Sequence, residues 1–207
     1  MDYVREREGG RHNICIYFYM ENRKIILNLK DKKIIFFDGD GTIWYPRSTK
    51  RTQKPHWIYI DTATKDNYLD HLTLTPKARK TLLALKRIKI TLVLISTNPS
   101  SAKKADLVLR DKLEHFKLDK VFDSYCSSPE YQEGKGEMIL KILKDKKIPK
   151  SKALMVGDSY YYDYLSAKIV GVDALLIENS YARRPKNGKA PKNLIREIHE
   201  LSEMLAD

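Results

Sequence analysis

The chain has 207 residues, 42% of them hydrophobic and 32% charged, the balance of one soluble globular domain with a sizeable core. No apolar run approaches the ~20 residues of a membrane span, and the stretch at 14–20 is too short for a signal-peptide core, so no membrane partner is expected and the cytoplasm is the expected compartment. Lys and Arg number 39 against 27 Asp and Glu, a net charge of +12; the basic residues are spread, with denser groups at 47–54, 141–152 and 183–192, and no nucleic-acid-binding signature accompanies them. A lysine-rich, heat-adapted surface is therefore preferred to nucleic acid, which stays a possible but not favoured partner.

Residues 1–30 form an extension: a charged stretch, then two β-like runs at 14–19 and 24–29 joined at Glu21-Asn22, which predict a hairpin. Met20 offers an alternative start. Residues 34–37, Ile-Ile-Phe-Phe, read as a buried strand that Gly39 and Gly41 end in a tight loop. Asp38 and Asp40 then project from the strand's carboxyl end, where open α/β sheets place their ligand crevice. Two carboxylates so close repel each other unless a cation or a proton separates them. The pair asks for Mg²⁺, or for one member acting as nucleophile and the other as acid. A plain Asp-Gly turn is the alternative. A calcium loop fails, because its glycine position holds Ile43 and its closing glutamate position holds Thr49.

Residues 45–74 interrupt the rhythm. They are too many for an ordinary connection and carry His56, Trp57, Tyr59, Tyr68 and His71, and such an insertion usually covers a site. Arg47, Arg51, His56 and Trp57 are candidates to touch a leaving group, with a plain packed flap as the alternative. Thr75 should cap, and Pro76 open, a helix with Ala78, Leu82, Leu85 and Ile88 on one face.

A second strand at 90–95 ends in Ser96-Thr97-Asn98-Pro99, whose hydroxyl and N–H groups either bind phosphate oxygens or cap the next helix. That helix turns Ala102, Ala105, Leu109 and Leu113 inward. A strand at 121–125 follows. Lys135, flanked by Gly134 and Gly136 that permit close approach, opens a helix over 136–146 that buries Met138, Ile139, Ile142 and Leu143. The strand at 153–156 ends in Gly157-Asp158-Ser159, and Asp163 stands in the first turn of a helix at 161–170. Asp158 supplies the oxygen ligand a hard cation requires; Asp163 either joins it or only serves the helix dipole. A strand at 174–177 and a final helix with Leu194, Ile198, Leu201 and Leu205 on one stripe complete the chain. Cys15 and Cys126 form no metal-ligand pattern and read as reduced, buried small hydrophobes. Alternating strands and helices predict a parallel sheet covered on both faces.

Taken in order, Asp38-Gly39-Asp40-Gly41-Thr42, Thr97 with Asn98, Lys135, and Gly157-Asp158-Ser159 with Asp163 resemble the four motifs of the haloacid dehalogenase (HAD) superfamily of aspartate-nucleophile phosphohydrolases. The resemblance spans residues 33–179. It implies an α/β fold, a three-layer Rossmann-like domain with a mainly parallel sheet over 31–207, with a minimal cap in the flap at 45–74. It also implies a Mg²⁺-dependent phosphomonoesterase in which Asp38 forms an aspartyl-phosphate and Asp40 is the general acid/base. Gly41, Thr42, Thr97, Asn98 and Lys135 would bind phosphate. Mg²⁺ would be held by Asp38, the Asp40 backbone carbonyl and Asp158, with Asp163 either binding the metal or orienting Lys135. The superfamily's dehalogenases lack an acid at the position of Asp40, so its presence points to phosphatases. Two residues depart from the pattern: Gly39 replaces a bulky apolar residue, and a glycine instead of a proline follows Lys135. The short insertion, and an interval at 98–134 already filled by a helix and a strand, resemble the capless magnesium-dependent phosphatase branch with its open site. The implied partner is a phosphorylated substrate, small molecule or phosphoprotein. Polynucleotide ends are one alternative, and a non-catalytic binding module on the same fold is another.

Overall fold

The computed structural model describes residues 18–20, 23–25, 27–97, 102–128, 134–181, 191 and 193–205. At the amino end, β1 (Phe18–Met20) and β2 (Arg23–Ile25) pair antiparallel with Phe18 opposite Ile25, a hairpin where the predicted runs meet; of those runs, residues 14–17 and 26 lie outside the described residues. Leu29 leaves the second run and anchors a single 3₁₀ turn, Leu29–Asp31, capped by the Asn28 side chain.

The main sheet starts with β3 (Ile34–Phe37), every residue of which is buried. A hairpin follows it, β4 (Trp44–Pro46) against β5 (Leu72–Leu74), and between its strands lie a 3₁₀ turn, Pro55–Tyr59, and the short helix α1 (Tyr68–His71). Then come α2 (Ala78–Arg87), β6 (Thr91–Thr97), α3 (Ala102–His115), β7 (Ser124–Ser128) and α4 (Gly136–Asp145). The chain continues through β8 (Ala153–Gly157), a π-helical turn at Tyr160–Leu165, α5 (Ser166–Ile169), β9 (Asp173–Ile177), β10 (Leu194–Ile195) and α6 (Glu200–Glu203). Six strands form one parallel sheet in the order β10-β9-β8-β3-β6-β7.

Alternation along each strand sorts the core into two layers. Ile35, Phe37, Leu92, Leu94, Leu154 and Val156 face α2, α3 and the hairpin. Ile34, Phe36, Val93, Ile95, Ala153 and Met155 face α4 and α5. Phe36 and Phe37 are fully buried on opposite faces, each contributing roughly 1.5–3 kcal/mol of transfer free energy. A strand enclosed on both faces must read as an unbroken apolar run, which is why β3 shows no polar alternation.

Several elements differ from expectation. Thr75 does not cap α2; its hydroxyl donates to the Thr42 carbonyl at 2.7 Å, and Lys77 takes the cap position at φ 59. Ile88 falls beyond the end of α2 and is 46% exposed. The strand expected at 121–125 starts at Ser124, because Val121 and Phe122 are buried in the turn that leaves α3. The last predicted helix begins as a strand: Leu194 and Ile195 pair with Leu176 and Ile177 at the sheet edge, while Ile198 and Leu201 remain buried beyond them.

Lysine takes all five non-glycine positions with positive φ among the described residues: Lys50, Lys77, Lys89, Lys117 and Lys147. Three of these follow helix ends, where glycine is usual. Among the described residues no helix is long and apolar enough to cross a membrane.

Candidate active site

Three neighbouring strands end at one rim. Phe37 of β3 lies level with Val156 of β8 on one side and Leu94 of β6 on the other. Asp38 is the next residue, and its N–H still donates to the Val156 carbonyl at 2.9 Å. The chain then turns tightly: Ile43 N–H reaches the Gly39 carbonyl at 2.8 Å and Gly41 N–H the Trp44 carbonyl at 2.7 Å. Gly41 has φ +89, and a Cβ there would overlap the Asp158 carboxylate. Gly39 is explained by Trp44. A Cβ at Gly39 would stand 2.8 Å from Trp44 Cζ2, so the indole fills the space a bulky residue would take.

Asp38 lies among acids. Carboxylate oxygens of Asp38, Asp158 and Asp163 all fall within 4.8 Å of one another, and all three residues are buried. Burial pushes the Asp38 carboxyl up to about 7, with Asp163 and Asp40 adding to the rise and Lys135 opposing it. Burial, then the charges of Asp38 and Asp163, push Asp158 well above its ordinary value. Tyr181 opposes this by donating its hydroxyl to Asp158 Oδ2, and Asn179 Nδ2 donates to the Asp158 carbonyl at 2.9 Å. The donor set is all oxygen, crowded and short of positive charge, which fits a hard divalent cation.

Lys135 is the cation on this side. It is 1% exposed and its Nζ pairs with Asp38 and, at 2.7 Å, with Asp163 Oδ1. Burial works against the ammonium, but Asp163 and Asp38 outweigh it and raise its affinity for the proton. The Lys135 N–H donates to the Tyr162 carbonyl at 3.0 Å, and a Cβ at Gly136 would stand 2.7 Å from the Ser166 carbonyl oxygen. Asp163 Oδ2 accepts the Ser159 N–H at 2.9 Å. Both of its oxygens are thus engaged. The π-helical turn allows this: the N–H groups of Asp163 and Tyr164 both reach the Ser159 carbonyl at 3.1 Å, and the wider turn swings Asp163 back toward Lys135.

Asp40 has the opposite surroundings. Its Oδ1 accepts from Trp44 Nε1 at 3.1 Å and from the Tyr59 hydroxyl, and its Oδ2 pairs with Lys112 Nζ at 2.8 Å. Burial would raise this carboxyl, yet the charges of Lys112 and His56 and the bonds from Lys112 and Tyr59 bring it below its ordinary value. Tyr59 itself is raised by burial and by Asp40.

The residues singled out from the sequence fall as follows. Asp38, Asp158, Asp163 and Lys135 converge. Asp40 is adjacent, but its side chain turns to the insertion and stands apart from the acidic trio. Gly41 lies against Asp158, and Thr42 is buried with its hydroxyl 3.5 Å from Asp38 Oδ2. Thr97 ends β6 at the same rim, opposite Ser128. Asn98 lies outside the described residues, as do residues 183–190 of the last basic group. Of the flap candidates, Arg51 binds the Arg196 carbonyl and Glu197, Trp57 donates to Thr49 Oγ1 and Arg47 to the Leu72 carbonyl, so these three pack the insertion. His56 alone among them acts electrostatically on Asp40. Asp38 and Asp40 are each 8% exposed; Trp44, Tyr59 and Lys112 contact the Asp40 carboxylate, and Tyr181 contacts that of Asp158.

Lys112, Tyr59 and Tyr181 carry contacts that sequence reasoning did not assign. Lys112 stands three residues after Leu109 and next to Leu113 on the inward stripe of α3, a position that would have marked it only in a chain poorer in lysine.

Comparisons with known proteins bear on the family and the fold. The profile of the haloacid dehalogenase-like hydrolase family matches residues 31–177. A protein of Caldanaerobacter subterraneus named for pyrophosphatase activity, PpaX, is 32% identical over 139 residues, 64% of this chain. The match spans 60% of that relative's length. Among solved structures, a HAD phosphatase from Thermococcus onnurineus superposes with a TM-score of 0.60 at 21% identity, covering 84% of this chain and 97% of the other. A 2-haloacid dehalogenase from Pseudomonas syringae does so with 0.58 at 17% identity, covering 84% and 98%. A phosphatase and a dehalogenase share this fold, so the fold leaves the choice of chemistry to the site.

Proposed function

The chain belongs to the haloacid dehalogenase-like hydrolase family, and from that premise we propose that it is a Mg²⁺-dependent phosphomonoesterase working through an aspartyl-phosphate on Asp38. The observation that carries this reading is the buried trio of Asp38, Asp158 and Asp163 with Lys135 set against two of its members.

Asp38 and Asp158 are the side chains that would hold Mg²⁺, with the Asp40 backbone carbonyl as a third protein ligand. Asp163, whose oxygens serve Lys135 and the Ser159 N–H, is read as the residue that orients the lysine. Bound there, Mg²⁺ would offset the repulsion between an anionic nucleophile and an anionic phosphate. Asp38 attacks phosphorus in line and displaces the alcohol. Asp40 first takes up a proton, against surroundings that hold it below its ordinary value, gives it to the leaving oxygen and afterwards recovers one from the water that hydrolyses the intermediate. Lys135 stabilises the transferring oxygens, while Thr42, Thr97 and the N–H groups of the turn orient them. An acid at position 40 supports a phosphatase over a dehalogenase. The small insertion supports the capless magnesium-dependent branch.

Phosphate release from p-nitrophenyl phosphate tests the reading. Turnover should require Mg²⁺, stop with EDTA and vanish in Asp38→Asn; turnover that survives this substitution overturns the mechanism. A screen over sugar phosphates, nucleotides, phosphotyrosine peptides, 3′-phosphorylated oligonucleotides and, given the name of the relative, pyrophosphate then ranks the substrate classes.

A further inference from the structure

The proposed chemistry uses one buried lysine, and the site contains two. Lys112 is 1% exposed on α3, a helix whose other inward residues here are Ala105, Leu109 and Leu113. Its ammonium lies 2.8 Å from Asp40 Oδ2, 4.5 Å from the centre of the Tyr59 ring and 5.6 Å from that of Trp44. A buried ion pair is a poor source of stability, because each charge loses several kcal/mol of hydration that the pairing only partly returns. Leucine or methionine at 112 would continue the apolar stripe without that cost. The lysine therefore calls for a reason other than packing.

Its surroundings supply one. Three donors from three separate elements meet on a single carboxylate: Trp44 Nε1 from β4, the Tyr59 hydroxyl from the insertion and Lys112 Nζ from α3. One donor would leave the carboxylate free to turn about its Cβ–Cγ bond. Donors on both oxygens fix that rotation.

Resting on the reading of Asp40 as general acid/base, we propose that Lys112 is a positioning residue that sets the orientation of the Asp40 carboxylate, with Tyr59 linking the insertion to the same group. Lys112 then acts only through Asp40 and does not bind the substrate phosphate.

A double-mutant cycle on p-nitrophenyl phosphate with saturating Mg²⁺ separates these roles. Both chemical steps pass through Asp40, and loss of alignment in such a group costs on the order of 10²-fold. Lys112→Met should lower kcat by about 10–100-fold with KM nearly unchanged, and in an Asp40→Asn background the same substitution should change kcat by less than about 2-fold. A raised KM, or a Lys112→Met loss that multiplies the Asp40→Asn loss, would assign Lys112 to substrate binding and overturn the proposal. Unchanged kcat would reduce Lys112 to packing and overturn it as well. Should Lys112→Met show no cooperative thermal transition, Tyr59→Phe takes its place: it removes one donor, keeps both charges, and should lower kcat less but with the same dependence on Asp40. The underlying mechanism fails separately, through activity retained by Asp38→Asn.

Discussion

Asp38 and Asp40 leave one turn with a single glycine between them and enter opposite surroundings: acids gather around the first and donors around the second. Each has a buried lysine, yet the lysines do different work. Lys135 is shared between Asp38 and Asp163, so three carboxylates with Asp158 included have one ammonium among them. Lys112 faces Asp40 alone, beside two further neutral donors. Two identical side chains are differentiated by environment, one crowded enough to need a cation and one already satisfied. Without a cation these surroundings raise Asp38 and lower Asp40, so the proposed roles of nucleophile and acid/base depend on a cation that brings Asp38 down.

The difference is broken most drastically by removing Asp38, the proposed nucleophile. Asp38→Asn should lower turnover of p-nitrophenyl phosphate by at least about 10⁴-fold, whereas Asp40→Asn should cost about 10²–10⁴-fold because it removes only proton transfer. Equal and small losses would mean that the two aspartates do not divide the labour.

Removing the shared lysine comes next. Lys135→Met leaves Asp38 and Asp163 buried without their ammonium, and a broken buried pair costs about 3–5 kcal/mol. Lys112→Met should cost less, because Asp40 keeps the Trp44 and Tyr59 donors. Urea denaturation of the two variants gives the order, and the reverse order would contradict the account of the two sides.

How much of this was legible before the structure follows from the same asymmetry. Asp38, Asp40 and Asp158 stand where apolar runs stop at strand ends, and a change from buried strand to acid is a local event that a sequence displays. Lys135 showed through its glycine flanks. Lys112 did not, since a lysine within an apolar stripe is conspicuous only where lysine is rare, and Lys and Arg here number 39. Tyr59 and Tyr181 reach the site from irregular segments with no periodicity to reveal their direction. The final helix was misread because Leu194, Ile198 and Leu201 keep helical spacing although Leu194 belongs to a two-residue edge strand, too short to show a period of its own.

Cation binding sharpens the comparison through pH. Asp38 is raised to about 7 from an ordinary 3.8, chiefly by burial, and Asp158 is raised too. A carboxyl raised on folding contributes stability that is fully present below its unfolded pKa and is lost as pH rises through the folded value. Without metal, this contribution should disappear between about pH 4 and pH 7. Asp40, held below its ordinary value, should not share in that loss. Mg²⁺ competes with protons for Asp38 and Asp158, so its stabilising effect should grow across the same window. At a concentration of 100 times its Kd it should add about 2.7 kcal/mol. Thermal melts with Mg²⁺ and with EDTA at pH 5 and pH 7.5 read this directly, and an equal gain at both pH values would place the cation elsewhere.

The smallest effect concerns the residue between the two aspartates. Gly39→Ala brings a Cβ to 2.8 Å from Trp44 Cζ2, a contact that real side chains avoid. The indole is fully buried and stacked on Phe116 with ring centres 5.8 Å apart, so it has little freedom to retreat. Overpacking of this kind costs about 1–3 kcal/mol. The displacement acts on one side only: Trp44 Nε1 donates to Asp40, while Asp38 is held by its bonds to Val156 and Lys135. Gly39→Ala should therefore weaken the Asp40 step and leave the Mg²⁺-dependent shift in melting temperature intact. Trp44→Phe, which removes the donor and shortens the ring, should restore the stability lost to the alanine but not the activity. If the double variant recovers both, the Trp44 bond to Asp40 is incidental, and Gly39 is there only to admit the ring.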